Sequence, residues 1–272
     1  MSMIRNPAVA GTFYPADPAQ LAQEVDAYLA HPRGRVRSTS PKAIVAPHAG
    51  YAYSGEIAGS AYAALRPWAL GVARTARVVL LGPTHRVAAQ GLVLPGADVL
   101  RTPLGDVAVD LELVADLTNL PQVSVSSAVH AREHSLEVHL PFLQRVLSRF
   151  RVVPLAVGDA DAEEVAEVLE RLWGGEETRI VASSDLSHYL PYQSAKRVDD
   201  ETARAIEHAE TVSPRQACGA HVINGLSEVA RRRGLTIERL DLRSSGDTAG
   251  SRDEVVGYGA FAYYETRPME AS

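Results

Sequence analysis

Three apolar runs of the sequence are each followed by residues that bind metals or transfer protons. The run A-I-V-A leads to His48, and the run V-V-L-L leads to His85. The run R-I-V-A-S-S leads directly to Asp185 and, three residues later, to His188. Imidazole binds transition metals and titrates near neutral pH, and a carboxylate orients an imidazole by accepting a hydrogen bond from it. These clusters predict a metal-binding or acid–base site.

The runs that precede these residues have the pattern of strands buried on both faces. They are short, β-branched and without polar alternation, at residues 43–46, 77–81, 150–157 and 178–183. This pattern is typical of a parallel sheet covered by helices, in which ligands bind beyond the carboxyl ends of the strands. A single histidine or aspartate in such a place is usually a hydrogen-bonded loop residue, but the shared edge favours one common site.

Helical patterns alternate with these runs, and two further strand candidates follow at residues 235–243 and 258–265. A first helix is expected after Asp17, which can cap it. The other helical patterns cover about 55–66, 110–118, 134–148, 161–172, 194–209 and 218–233. We therefore predict a single α/β domain over residues 1–272, with a mixed, mostly parallel sheet and helices on both faces.

The single cysteine of the chain, Cys218, begins the last helical pattern. A helix dipole stabilises a thiolate at the helix N-terminus, so we expect a lowered pKa that suits metal binding or nucleophilic chemistry. The alternative is that Cys218 is a small buried apolar residue. A lone cysteine excludes an intramolecular disulfide.

The segment E-H-S-L-E-V-H carries three more candidates, His134, Glu137 and His139. A helix over this segment would place Glu137 one turn after His134. The spacing of the two histidines does not match the H-E-x-x-H zinc motif, because five positions separate them. We expect substrate-facing or ligand-supporting roles, with an ordinary polar helix face as the alternative.

Composition excludes several classes of partner. The chain has 272 residues, a formal net charge of −6 and a pI near 5.9, which argues against nucleic acid or an anionic membrane as the main partner. No apolar stretch approaches the length of a membrane span, and the N-terminus lacks the apolar region of a signal peptide. We expect a cytoplasmic protein.

Six motifs resemble those of the Memo family, whose prokaryotic members are usually called AmmeMemoRadiSam system protein B. They occur in the family's order from residue 7 to residue 221, so the resemblance covers nearly the whole chain. The motifs are P-A-V-A-G-T-F-Y-P, A-P-H-A-G-Y-A-Y-S-G, L-G-P-T-H, E-H-S-L-E-V-H-L-P-F-L, S-S-D-L-S-H-Y and C-G-x-H. The family is similar in fold to the catalytic subunit of class III extradiol dioxygenases, which open catechol rings with non-haem iron(II).

The resemblance implies roles for particular residues. It implies that His48, His85 and Cys218 bind a metal, that His188 takes the acid–base position, and that Asp185 lies beside it as a catalytic or orienting group. Residues expected to face a substrate or to support the ligands are His134, Glu137, His139 and Tyr51.

Cys218 replaces the carboxylate ligand of the dioxygenases, which disfavours ring cleavage. A set of two histidines and a thiolate is softer and suits one iron(II) or copper ion, with zinc as a further option. A type I copper site would also use an axial methionine, but the only methionines, Met1, Met3 and Met269, lie near the termini.

We therefore expect a metal-dependent oxidoreductase that acts on an unidentified small molecule. The alternative is a non-catalytic metal-carrying or partner-binding protein that acts with AMMECR-type and radical-SAM proteins, partners that the resemblance implies. A metal-free hydrolase based on Cys218 or Ser184 ranks last, because the sequence has no G-x-S-x-G elbow.

Overall fold

A mixed sheet of nine strands forms the centre of the computed structural model, which describes residues 2–34, 37–71 and 75–266. Its strands, with those of a smaller sheet, are β1 (Ile4–Arg5), β2 (Ala43–Ala46), β3 (Ala76–Pro83), β4 (Leu92–Leu94), β5 (Val99–Thr102), β6 (Gly105–Ala108), β7 (Val123–Val125), β8 (Phe150–Val157), β9 (Thr178–Ser183), β10 (His188–Leu190), β11 (Thr236–Ser244) and β12 (Val255–Tyr264).

Nine α-helices lie in the described part of the chain, and none of these is both long and apolar enough to cross a membrane. They are α1 (Pro18–Ala30), α2 (Tyr51–Ala63), α3 (Arg66–Gly71), α4 (Leu111–Leu117), α5 (Ser127–Ala131), α6 (Leu140–Val146), α7 (Ala162–Arg171), α8 (Tyr192–Glu207) and α9 (Ala220–Arg233). Short 3₁₀ turns cover Glu137–His139 and Ser245–Asp247.

The four central strands run parallel in the order β2-β9-β3-β8. Ala182 of β9 pairs with Val45 on one side and Leu81 on the other, so the carboxyl ends of these three strands lie level. Antiparallel strands flank this centre, with β12 beside β2 and β4 beside β8. The expected α/β domain with a mixed sheet is confirmed, and its parallel character is concentrated in the central strands.

Helices cover both faces of the sheet, as the sequence predicts, because the central strands are apolar on both sides. Ile44 and Ala46 of β2 belong to one core cluster, with residues of α1, α2 and α6. Ala43 and Val45 of the same strand belong to the other, with residues of α7, α8 and α9. Alternate side chains of β2 thus pack into two separate apolar layers, one on each face of the sheet.

Several elements differ from the sequence prediction. The small sheet β1-β5-β6 was not expected, since strands of two to four residues carry little pattern. Helix α2 begins at Tyr51 rather than near residue 55. The sequence pattern misses this start because the helix is buried on nearly all sides and lacks an amphipathic period. The helix expected over 134–148 is wrong at its start: a 3₁₀ turn comes first, and Pro141 lies in the first turn of α6.

Candidate metal centre

The level ends of β2, β9 and β3 bring three of the expected residues to one edge of the sheet. His48 follows β2, His85 follows β3, and Asp185 follows β9, which lies between the other two strands. The backbone N–H of His48 donates to Oδ1 of Asp185 at 2.8 Å, so the loop after β2 is joined to the loop after β9. The prediction of a common edge is confirmed for these strands.

Cys218 joins this edge from a distant part of the sequence. Candidate ligand atoms of His48, His85 and Cys218 all lie within 4.8 Å of one another. The Sγ atom of Cys218 is 3.3 Å from Nε2 of His48, and the two imidazole centroids are 5.1 Å apart. His48 is buried, Cys218 is half-buried and His85 is exposed, so the cluster is open to solvent on the side of His85.

Glu133, a residue without a predicted role, holds His85 in place. Its Oε1 accepts from Nδ1 of His85 at 3.0 Å, and its Oε2 accepts from the His85 backbone N–H at 2.5 Å. Because a carboxylate accepts the hydrogen of Nδ1, the other ring nitrogen, Nε2, carries the lone pair that a metal needs. The adjoining E-H of the motif is the one sequence signal that could have pointed to this residue.

Both carboxylate oxygens of Glu133 accept hydrogen bonds from protein groups. A second group of possible ligand atoms, from His85, Glu133 and His134, also lies within 4.8 Å. However, Oε1 of Glu133 already accepts from the backbone N–H groups of His134 and Ser135, at 2.8 and 3.0 Å. Burial alone would raise the pKa of Glu133, but hydrogen bonds from His134, His85 and backbone groups outweigh it and lower the pKa.

Cys218 precedes α9 by two residues, in a loop held against the end of β9. Its backbone N–H donates to the Asp185 carbonyl at 3.3 Å, and its Sγ accepts from the Asp185 backbone N–H at 3.3 Å. The expectation of a lowered pKa is wrong: burial, and then the charge of Asp185, raise the pKa of the Cys218 thiol above its ordinary value. In this position desolvation outweighs the helix dipole.

Asp185 and His188 lie on the same loop but have different surroundings. Asp185 is buried, which raises its pKa, although the hydrogen bond from the His48 backbone and the nearby histidines oppose that shift. Its Oδ2 is 3.9 Å from Nε2 of His48. His188 is half-buried on β10, and its Nδ1 lies 2.8 Å from the Leu186 carbonyl. In the neutral ring Nδ1 therefore carries the hydrogen, and Nε2 of His188 carries the lone pair.

Two of the remaining candidates, His134 and His139, lie next to the candidate metal ligands. The His134 ring packs between Phe13, at a centroid distance of 4.7 Å, and His85, at 4.8 Å. His139 is buried, and its Nε2 is 2.8 Å from the hydroxyl of Ser183. Burial lowers the pKa of both His48 and His139, in the latter case to about 3, so both rings are neutral.

Tyr51 and Glu137 face the protein interior. The Tyr51 hydroxyl donates to the Val138 carbonyl at 2.6 Å, and its ring packs against Phe142. Glu137 binds the N-terminal segment: it pairs with Arg5 and accepts hydrogen bonds from three further donors, the backbone N–H groups of Ala8 and Val9 and the Tyr14 hydroxyl. Phe13, which packs against His134, belongs to that segment. Glu137 therefore helps to hold Phe13 beside the candidate site.

Fold and site together define an α/β protein with a candidate two-histidine, one-cysteine metal centre at the carboxyl edge of its sheet. The chain belongs to the Memo family, because the family described as Memo-like protein matches residues 5–262. A MEMO1 family protein of Archaeoglobus fulgidus is 36% identical, over 96% of this chain and 99% of its own length. One of Aeropyrum pernix is 38% identical, over 94% and 98%.

A third relative, a MEMO1 family protein of Aquifex aeolicus, is 34% identical over 94% of this chain and 97% of its own length. Among solved structures, the uncharacterized protein JW3007 from Escherichia coli K12 aligns with a TM-score of 0.42 and 16% identity. That alignment covers 81% of this chain and 99% of the other. The family membership rests on the curated relatives and on the family match.

We expect Glu137→Gln to destabilise the protein by about 3 kcal/mol, the cost of breaking a buried ion pair. A glutamine cannot neutralise Arg5, and its amide group would meet N–H donors that now point at a carboxylate. Urea denaturation measures the change. The matched control is Glu112→Gln, whose exposed carboxylate lies 3.7 Å from Arg77 and should change stability by less than about 0.5 kcal/mol. Equal midpoints for both variants would contradict the assignment.

We also expect Gly219→Ala to destabilise the protein by about 1–3 kcal/mol through overpacking. A Cβ atom on Gly219 would lie 2.5 Å from the Ser183 carbonyl oxygen and 2.7 Å from Cβ of Ser184. The loop that carries Cys218 would therefore have to move away from β9. Gly71→Ala, at a position with open space around the added atom, is the control. Thermal melting compares the two, and an unchanged melting temperature in Gly219→Ala would show that the contact is not tight.

Proposed function

We propose that this Memo family protein is a metal-dependent oxidoreductase that binds one iron(II) or copper ion and acts on a small molecule. The ion would be held by His48, His85 and Cys218. The observation that carries the proposal is the approach of their three ligand atoms to within 4.8 Å of one another, in a cluster that is open on one side. An open side leaves room for a substrate beside the ion.

The chemical character of the ligands supports a redox-active ion. Two neutral imidazoles and one thiolate suit iron, copper and zinc, whereas calcium and magnesium prefer oxygen ligands. Iron or copper would supply one-electron chemistry to the site, and zinc would not. An axial methionine is not part of the proposal: Met3 is exposed, and Met1 and Met269 lie outside the described residues.

The negative charge of Asp185 beside Cys218 favours binding of a cation there. Burial, and then this charge, raise the pKa of the Cys218 thiol. A metal ion supplies the positive charge that this pocket lacks, and coordination removes the proton from a thiol. We therefore expect binding of the ion to release a proton, so that affinity rises with pH.

His188 is the proposed proton acceptor and Asp185 the proposed orienting group. The hydrogen on Nδ1 of His188 points to the Leu186 carbonyl, which leaves Nε2 able to take a proton from a substrate and return it. Asp185 accepts the backbone N–H of His48 and so fixes the loop that carries this ligand. Replacement of a carboxylate ligand by Cys218 argues against catechol ring cleavage as the reaction.

The alternative is that the protein carries a metal without turnover and acts beside AMMECR-type and radical-SAM proteins, as the family's name suggests. The same three ligands would serve that role. Under either proposal the lone cysteine has to stay reduced, which fits a cytoplasmic location.

Metal titration tests the proposal directly. We expect the wild-type protein to bind one iron(II) or copper ion per chain, and Cys218→Ser and His85→Gln to weaken binding by about 100-fold or more, at or above the largest effects of outer-sphere changes. The control is His221→Gln, since Nδ1 of His221 lies 2.6 Å from the Ala160 carbonyl and the ring is not part of the ligand cluster. Absence of any bound ion in wild type, or equal affinity in Cys218→Ser, would refute the metal assignment.

A second experiment distinguishes a catalytic protein from a protein that carries a metal without turnover. The variant His188→Asn keeps a donor for the Leu186 carbonyl but lacks Nε2. We expect it to bind the ion as wild type does and to lose about 100-fold or more in oxygen uptake with phenolic or thiol reductants, the usual contribution of a general base. If wild type and variant bind the ion equally and neither consumes oxygen, the non-catalytic alternative is favoured.

A further inference from the structure

The hydroxyl of Ser183, the last residue of β9, is the meeting point of three buried polar groups. Its Oγ lies 2.7 Å from the Ser135 carbonyl oxygen, 2.7 Å from Nδ1 of His48 and 2.8 Å from Nε2 of His139. All four residues are at least 98% buried, so no bulk solvent competes for these contacts. The arrangement of the hydrogens is therefore decided inside this group.

A hydroxyl has one hydrogen to donate and two lone pairs with which to accept. A carbonyl oxygen only accepts, so the 2.7 Å contact between Ser183 and Ser135 requires the hydroxyl hydrogen to point at the carbonyl. Both lone pairs of the Ser183 oxygen then face imidazole nitrogens. Each of those nitrogens has to donate an N–H, which means Nδ1–H on His48 and Nε2–H on His139.

We propose that Ser183 is a positioning residue that fixes the tautomer of His48, so that Nε2 carries the lone pair and faces Cys218. This nitrogen is the one that lies 3.3 Å from the Cys218 sulfur. The consequence for metal affinity rests on the proposed function, whereas the tautomer itself is a property of the metal-free protein. Neither Ser183 nor Ser135 is a proposed ligand or catalytic residue.

The reverse arrangement is disfavoured by the contacts of the same group. If Ser183 donated to His48 instead, two oxygens would face each other at 2.7 Å without a hydrogen between them. A proton would also move to Nε2 of His48, where it would occupy the lone pair needed for a metal. His139 agrees with the proposed arrangement, because its buried Nδ1 has no partner among the described residues, and an unpartnered buried acceptor is less unusual in proteins than an unpartnered N–H.

The two imidazoles are thus oriented alike by different chemistry. Glu133, a carboxylate, accepts Nδ1–H of His85, and Ser183, a neutral hydroxyl, accepts Nδ1–H of His48. In both rings this leaves the lone pair on Nε2. A carboxylate partner makes an imidazole a stronger electron donor than a hydroxyl partner does, so His85 and His48 are unequal ligands.

Nitrogen-15 NMR of the metal-free, histidine-labelled protein tests the tautomers. Long-range proton–nitrogen correlations identify which ring nitrogen carries the hydrogen, and His139→Gln and His48→Gln assign the signals. We expect Nδ1–H on His48 and Nε2–H on His139, a pair of opposite patterns in one spectrum. An Nε2–H tautomer, or a mixture, for His48 in the wild-type protein would overturn the inference, whether or not the protein binds a metal.

Ser183→Ala then tests the consequence. We expect a tautomeric mixture at His48 in its spectrum and about a 10- to 100-fold loss of iron(II) or copper affinity, the usual effect of removing a partner of a metal-binding histidine. Ser60→Ala is the matched control, since Ser60 is also buried and its hydroxyl donates to the Glu56 carbonyl within α2. Unchanged affinity in Ser183→Ala, with wild type binding one ion, would show that Ser183 does not position His48.

The two experiments distinguish this inference from the proposed function. If wild type shows the expected tautomers but binds neither ion, the metal assignment fails and the positioning of His48 stands. If wild type binds the ion but the free protein has Nε2–H on His48, the metal assignment stands and the inference fails. The wild-type spectrum decides the tautomer even if Ser183→Ala does not fold.

Discussion

Parallel pairing of β2, β9 and β3 is the constraint on which the candidate site depends. Because the three strands run in the same direction and end at the same level, the residues that follow them meet at one edge. The central position of β9 has a particular effect: it places Ser183 and Asp185 between the loops that carry His48 and His85. The shared sheet edge thus supplies two candidate ligands and the groups that orient one of them.

The segment from Glu133 to His139 supplies a second set of contacts around the candidate site. Alternate residues of this segment, beginning with Glu133, make buried polar contacts around the candidate site. Glu133 holds His85, the carbonyl of Ser135 accepts the hydroxyl hydrogen of Ser183, Glu137 anchors the N-terminal segment, and Nε2 of His139 lies 2.8 Å from the Ser183 hydroxyl. Buried polar groups are costly unless they are paired, so these contacts also fix the position of the segment. Site geometry and local stability therefore depend on the same hydrogen bonds.

Much of the fold could be predicted from the sequence, since buried parallel strands appear as short apolar runs without polar alternation. Three strands have the expected bounds, 43–46, 150–157 and 178–183. The misses have physical causes. The strands of the small sheet are too short to carry a pattern, and helix α2 is buried too uniformly to show a period. The 3₁₀ turn before α6 carries Glu137 and His139, whose side chains contact residues far away in the sequence.

By itself, the sequence determined the residue types at the strand ends, the α/β order of elements and, through its ordered motifs, the Memo family. Only the tertiary structure decided which side chains lie close together. Cys218 lies 170 positions from His48, and the two meet only because the loop before α9 is hydrogen-bonded to the end of β9. Burial likewise reversed the expected pKa shift of Cys218, and the hydroxyl that β9 contributes lies 2.7 Å from Nδ1 of His48. Such effects depend on desolvation and on partners far apart in the chain, which local sequence does not encode.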